Sequence, residues 1–385
     1  MEHTFATSAK REQGISGANL LGGSIGRVRR IVGWVWIYFL QWSGLLRWAR
    51  RRLELSGGIV ILTFHRVLED EDALQSNSPA GMIVRRGTFE NLLRFLASHC
   101  DLTSLACAPS WRVGNNRVRV ALTFDDGWKD TNAIAFPLAQ KWRVPLTVFV
   151  CPGLAGKSMP FWPEHVVRAW RAARQDPEIM KVFELVCDEA GLDSSIRKSQ
   201  KGNRQLEAVL LQLKRLPPYR LERIVQKLMG LTQAGLPTEE NSSLDATMTL
   251  EDAARIATEG AQMGSHTQNH TILTTAPATV AQSELGESKR ALEAALNRPC
   301  TLFAYPNGSW SPEVRELVVK EGFELAFVNN PGVWSSETDP WLIPRVNLWE
   351  GSITGPRGTF SPAIFQYSAY WCSYRAEVRR RKKAA

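Results

Sequence analysis

The chain has 385 residues, 44% of them hydrophobic, enough for one large core with appendages or for two domains, which excludes a wholly disordered polymer. Its net charge of +9 is uneven: residues 1–52 carry nine Lys/Arg against two Glu, residues 375–385 carry six against one, and the rest is slightly acidic. That distribution argues against a nucleic-acid groove in the body and suits ends that meet solvent or anionic lipid.

Residues 1–30 are polar and rich in Gly and Ser, and are expected to form a disordered basic tail. Residues 31–54 form the next unit, an apolar helix with basic ends, in RVRRIVGWVWIYFLQWSGLLRWARRR. Its apolar run from Ile31 to Leu46 is short for a membrane span, and no small-residue cleavage site follows it, so no cleavable signal peptide is expected. Two readings fit residues 31–52: a helix lying in a membrane interface, or one docked on the body by its aromatic face. The six cysteines (100, 107, 151, 187, 300 and 372) show no CxxC pairing and read as buried apolar residues of a reducing compartment. The expected location is therefore the cytoplasm, with attachment to the inner face of the membrane under the first reading.

From about residue 55 to 350 strands alternate with helices. GGIVILTFHRV gives a strand from Ile59 to Phe64, RVRVALTF a second, and PLTVFV a third. A helical insertion is expected over about 160–245, ending in the polar linker TQAGLPTEENSSLDAT. TLEDAARIATEG reads as a helix capped at Thr249. The strand in PCTLFAYPNG, the helix in PEVRELVVKEG and the strand FELAFV follow. Residues 351–385 form a C-terminal extension with a basic tail. This alternation predicts a parallel sheet with helices outside, whose reactive residues gather at the carboxyl ends of the strands. His65, Asp125, Asp126 and the YPNG segment all fall at such ends.

In GSHTQNH, His266 and His270 are four residues apart, so one tight turn brings both imidazoles together. Two imidazoles and a carboxylate make a facial set for a divalent ion with open positions, the carboxylate coming from elsewhere in the chain. Taken singly, HxxxH is also two surface histidines and FDDG is also an ordinary Asp-Gly turn.

Together, TFDDG at Thr123–Gly127 and the HTxxH motif resemble the polysaccharide deacetylases with a NodB homology domain, from about Ile59 to about Val346. LTFHRV, MGSHTQNH and FAYPNG resemble the subgroup associated with exopolysaccharide gene clusters. The resemblance implies a distorted (β/α) barrel of about seven strands. It also implies Asp125 as catalytic base, Asp126, His266 and His270 as metal ligands, and Zn²⁺ as the metal, although the same ligands take Co²⁺, Ni²⁺ or Fe²⁺.

Two departures stand out. Ala304 occupies the position of the arginine that orients the catalytic aspartate in the family; Arg345, in LIPRV, either reaches that carboxylate from another direction or forms a surface ion pair. Family members often use a late histidine as proton donor, and this chain has none after His270, which makes His65 the candidate replacement. Tyr305, Pro306 and Asn307 are assigned to the substrate and oxyanion side, the backbone N–H of Asn307 facing the oxyanion. Trp128 and Trp310 are the expected sugar contacts.

The expected activity is metal-dependent removal of N-acetyl groups from a polysaccharide or glycolipid precursor in exopolysaccharide or cell-envelope glycan synthesis. The rivals are an O-acetyl glycan esterase and a catalytically silent glycan-binding or assembly protein.

Overall fold

The computed structural model describes residues 24–105, 116–195, 202–231 and 245–384. The expectations for residues 1–23, for Cys107 and for most of the polar linker lie outside these residues.

The strands are β1 (Ile59–Phe64), β2 (Arg66–Leu68), β3 (Ile83–Arg85), β4 (Cys100–Leu102), β5 (Val118–Phe124), β6 (Leu146–Val150), β7 (Gln262–Ser265), β8 (Leu302–Ala304), β9 (Leu325–Val328), β10 (Ile343–Pro344) and β11 (Val346–Asn347). The main sheet runs β10-β9-β8-β7-β6-β5-β1-β11, with every neighbouring pair parallel. Its two outer members, β10 and β11, are consecutive pieces of one segment separated only by Arg345. One piece pairs with β9 and the other with β1, so the row closes into a barrel of seven staves. β4 adds a parallel partner beside the first half of β5, while β2 and β3 form a small separate pair.

The staves alternate between two cores, as the period of two requires. Ile59, Ile61, Ala121, Phe149, Leu302, Ala304, Phe327 and Ile343 fill the barrel interior. The intervening residues, such as Val60, Leu62, Phe64, Leu122, Phe124, Val148 and Val346, pack outward under the helices. The expected distorted (β/α) barrel is the fold observed.

After β6 the chain leaves the barrel. Residues 157–159 and 245–247 run antiparallel, with Met159 N donating to Asp245 O and Thr247 N to Lys157 O, and so form the stem of an insertion. Its helices Trp162–Gln175, Pro177–Glu189, Asn203–Leu213 and Pro218–Gly230 enclose their own core around Trp170, Phe183, Leu213 and Leu228.

The first helix, α1 (Ser24–Trp42), begins at Ser24, inside the stretch expected to be a disordered tail, because the arginine-rich run before Ile31 continues the helix. It is followed by α2 (Leu45–Ser56), which buries Leu46, Ala49, Leu53 and Glu54. The C-terminal helix Cys372–Ala384 joins the same layer, Tyr374 meeting Trp48 edge to face at 4.9 Å. Cys100, Cys151, Cys187 and Cys300 are buried free thiols, and Cys372 is half-buried.

Candidate active site

The inward column of each stave ends at the carboxyl rim, and there the parity that fills the interior with apolar groups delivers polar ones. His65 continues Ile59–Ile61–Thr63, and Asp125 continues Ala121–Thr123. Asn329 continues Phe327, and Arg345 continues Ile343. β1 and β5 pair at Phe64 and Phe124, and Asp125 N donates to Phe64 O, which sets His65 beside Asp125.

Arg345 is fully buried and grips Asp125 with both prongs, its two terminal nitrogens lying 2.7 Å from Oδ1 and 2.7 Å from Oδ2. The same guanidinium donates to Asn329 Oδ1 at 2.8 Å and to Thr123 Oγ1 at 3.2 Å. The alternative of a surface ion pair is therefore replaced by a buried clamp. Burial alone would raise the Asp125 carboxyl; the charge of Arg345, helped by His266 and the Arg345 hydrogen bonds, brings it below the ordinary carboxylate value. Ala304 lies in the barrel interior with Phe149 and Phe327, the two rings over which the Arg345 guanidinium sits.

Asp126 leaves the strand. Its φ of 73° is followed by 74° at Gly127, a paired left-handed turn that suits Asp followed by Gly. This turn carries the Asp126 carboxylate away from Asp125 and toward the loop after β7. There Oδ1 lies 3.5 Å from His266 Nε2 and 3.3 Å from His270 Nε2. Oδ2 accepts the Trp128 indole N–H at 3.0 Å. His266 Nδ1 lies 2.7 Å from the Ala304 carbonyl, an acceptor, so Nδ1 carries the proton and Nε2 presents a lone pair. His270 has φ 58°, and its ring packs edge-on against Phe161 at 5.2 Å. Burial keeps the His270 imidazole neutral, its pKa down to about 4, whereas the Asp125 and Asp126 carboxylates outweigh burial at His266 and raise it.

The donor atoms of Asp126, His266 and His270 lie within 4.8 Å of one another, and Asp126 Oδ1 is buried without a hydrogen-bond partner. A buried carboxylate oxygen left unpaired between two imidazole nitrogens fits a divalent cation.

The remaining assignments are distributed differently from expectation. Trp128 is fully buried and cannot meet a sugar: Phe161 covers it at 4.8 Å and the Arg66 guanidinium lies 4.2 Å over its ring. Tyr305 has outward parity, and its hydroxyl donates to Trp341 O at 3.0 Å in the outer core, so its side chain is not at the site. Pro306 is buried, while Trp310 is 41% exposed. Asn307 and Gly308 form a second left-handed pair, φ 58° and 66°; a Cβ at Gly308 would lie 2.5 Å from Asn329 N, so only glycine lets the loop close over the rim.

Several groups were not anticipated. Lys214, just past the insertion helix Asn203–Leu213, donates to Asn307 Oδ1 at 2.7 Å, and burial lowers its pKa despite the charges of Asp126 and Glu164. Behind Trp128, Arg66 is bound by Asp130, Asp245, Ser76 and Ser78, and Asp245 also accepts from Asn77 N and Nδ2. Ser78 in turn donates to Glu164 Oε1 at 3.0 Å, and burial pushes the Glu164 carboxyl up to about 8. The insertion stem is stitched to the Asp126–Gly127 turn as well, Met248 N donating to Gly127 O and Lys129 N to Ala246 O. HRV, DATM and FWPE carry no spacing signal that would join them.

Residues 238–326 match the family model described as polysaccharide deacetylase, a span that holds His266, His270 and the YPNG loop. YxkH of Bacillus subtilis (strain 168), a polysaccharide deacetylase by name, is 26% identical over 104 residues, 27% of this chain. The match spans 37% of that relative's length. Among solved structures, the Streptococcus pyogenes deacetylase PplD in complex with acetate aligns over 81% of this chain and 98% of its own, with 17% identity and a TM-score of 0.50. IcaB from Ammonifex degensii aligns over 81% and 96%, with 17% identity and a TM-score of 0.48. At 17% identity the likeness to PplD is one of fold.

Proposed function

We propose that this relative of the polysaccharide deacetylases is a metal-dependent hydrolase that removes N-acetyl groups from a polysaccharide or glycolipid precursor of an exopolysaccharide or envelope glycan. The observation that supports this reading most is the division of labour between two adjacent carboxylates. Asp125 is clamped by Arg345 and Asp126 faces two imidazoles. A binding protein has no need of an ionised, aimed carboxylate beside its ligand set.

Asp126, His266 and His270 would hold the ion, with Zn²⁺ the best match to one carboxylate and two imidazoles, and Co²⁺, Ni²⁺ or Fe²⁺ accepted by the same set. When bound, a divalent ion lowers the pKa of a water and polarises the acetyl carbonyl. Asp125 is the base that takes the proton of the attacking water, and Arg345 is its positioning residue, holding it ionised and in one orientation. The Tyr305–Gly308 loop supplies the backbone N–H that faces the developing oxyanion, with Asn307 in its left-handed conformation fixing that amide. His65, beside Asp125 and with Nδ1 unpartnered, relays the proton to the departing nitrogen as the C–N bond breaks, giving acetate and a free amine. Trp310 is the remaining ring for stacking on a sugar.

Metal analysis of the purified full chain, followed by an acetate-release assay on matched N-acetylated and O-acetylated oligosaccharides, tests the proposal. Acetate released from the N-acetylated substrate only when metal is bound supports it. Release confined to the O-acetylated substrate assigns ester hydrolysis instead, and no release from either assigns a silent protein.

A further inference from the structure

Helix α1 is apolar on two opposite faces. One face docks: Ile37 and Leu40, with Trp34 and Leu46, pack against Ala363, Ile364, Tyr367 and Trp371. The other has no partner among the described residues. Val28, Val32, Val35, Phe39 and Trp42 are 56%, 60%, 63%, 47% and 81% exposed. At about 100° per residue these positions fall in one narrow stripe, opposite Ile37. Trp36 stacks on Phe39 at 5.7 Å, and Phe39 lies 6.3 Å from Trp42, so the stripe carries a continuous aromatic ridge. Beyond the turn at Gly44, Leu45 and Trp48 are also exposed, although Trp48 meets Tyr374 on one side. No charged residue interrupts the sequence from Ile31 to Leu46. Contiguous apolar surface of this kind marks an interaction site.

Charge selects the occupant. Arg27 precedes the stripe in sequence, Arg29 and Arg30 fall between its first two members, and the exposed Arg47, Arg51 and Arg52 follow it. The C-terminal helix, docked on α2 through Tyr374 and Trp48, adds the exposed Arg375, Arg379 and Lys382 to the same layer. Part of this charge is balanced locally, Arg51 pairing with Glu54 and Arg380 and Arg381 with Glu377. The layer is nevertheless basic, while the body between residues 53 and 374 is slightly acidic. A second copy of the chain would bring two basic layers together; an anionic lipid surface would neutralise this one. No described helix is long and apolar enough to cross a membrane, so the geometry is that of a helix lying in the interface with tryptophans at headgroup depth.

We propose that α1 is an in-plane membrane anchor. Its Val28–Val32–Val35–Phe39–Trp42 stripe inserts among lipids bearing anionic headgroups, and its Ile37–Leu40 face holds the barrel at the bilayer surface. This inference does not depend on the deacetylase reading.

Flotation of the full chain with phosphatidylcholine vesicles, with and without phosphatidylglycerol, at low and high salt is the test. Wild type is expected to float with the mixed vesicles, at least about tenfold better than with phosphatidylcholine alone, and with blue-shifted tryptophan emission. Val35→Glu combined with Phe39→Glu is expected to lose that binding while keeping the wild-type thermal melt, because both side chains point away from the body. Failure of wild type to float with either vesicle, or undiminished flotation of the double variant, overturns the anchor. So does a lipid-free dimer in sedimentation velocity that the double variant dissociates, since the stripe would then be covered by a second copy.

Discussion

The Trp128 indole N–H donates to Asp126 Oδ2 at 3.0 Å, and Asp126 Oδ1 is thereby left facing His266 and His270. Trp128 cannot swing, because Phe161 lies against it and Arg66 sits 4.2 Å over its ring, held in turn by Asp130 and Asp245. A tryptophan two residues from Asp126 invites a stacking role on a sugar; here its place is behind the carboxylate. Trp128→Phe retains most of the volume and removes the donor. Its Zn²⁺ affinity is expected to fall about 10- to 100-fold, the usual cost of losing a group that orients a ligand. Isothermal titration against wild type gives the comparison, and unchanged affinity would remove Trp128 from the metal-orienting role.

Arg345→Lys replaces the two-pronged clamp with a point charge that cannot hold both oxygens. Burial, which raises the Asp125 carboxyl, is then opposed less strongly, so the acid limb of kcat/KM is expected to move to higher pH with Asp125 as base. The stability contribution has the same sign. The depressed carboxyl stabilises the fold above the unfolded value of about 3.9 and loses that contribution as pH falls through the folded value. Arg345→Ala leaves a buried charge unpaired and is expected to cost about 3–5 kcal/mol. pH-rate profiles and urea melts separate the two effects; an acid limb that stays in place for Arg345→Lys would disconnect the arginine from the base.

Asp125→Asn is expected to bind Zn²⁺ with wild-type stoichiometry and to lose about 10²-fold or more in acetate release, the usual range for removing a general base. Metal content and activity measured on the same preparation decide the point. Loss of metal together with activity would make Asp125 a ligand instead.

Glu164 carries the opposite pH signature from Asp125. Its buried carboxyl has a pKa of about 8, so between about 4.5 and 8 the unfolded chain releases a proton that the folded chain keeps. The favourable contribution is fully present below the unfolded value and is lost as pH rises through 8, with a slope of at most about 1.4 kcal/mol per pH unit. Glu164→Gln should flatten this slope, so the variant gains stability relative to wild type as pH rises from 5 to 8 in paired urea melts. A constant difference would mean that the carboxyl is ionised throughout.

Lys214 ties the insertion to the Tyr305–Gly308 loop through Asn307. Lys214→Met is expected to leave metal content unchanged and to lower kcat/KM by about tenfold, because the loop amide is no longer held from above. Steady-state kinetics beside metal analysis are the check, and wild-type kcat/KM would confine Lys214 to packing.

How far the site could be read from sequence depends on where each group's signal lies. Asp125, Asp126, His266 and His270 stand in compact motifs, and the alternation that fills the barrel also predicts that the two aspartates diverge. The same period of two, counted from Ile343, points Arg345 inward, so its capture of Asp125 is legible once the closing strand is recognised. Counted from Ala304, it turns Tyr305 outward, against the reading that motif position alone suggests. Lys214 and Asn307 are 93 residues apart, and Arg66 and Asp245 are 179 apart; such pairings are made by packing of the insertion, and no local pattern encodes them. For α1, periodicity does not distinguish a lipid partner from a protein one, and the docking of Ile37 and Leu40 on Ile364 is likewise made by packing.

The segment that carries Arg345 also shuts the barrel, Ile343 and Pro344 joining β9 while Val346 and Asn347 join β1. A chain whose last stave has not docked therefore leaves Asp125 without the guanidinium that holds both of its oxygens. Closure of the barrel and the aiming of Asp125 are one event: until the two edges of the sheet meet, every motif residue is present and that carboxylate lacks the partner that fixes it.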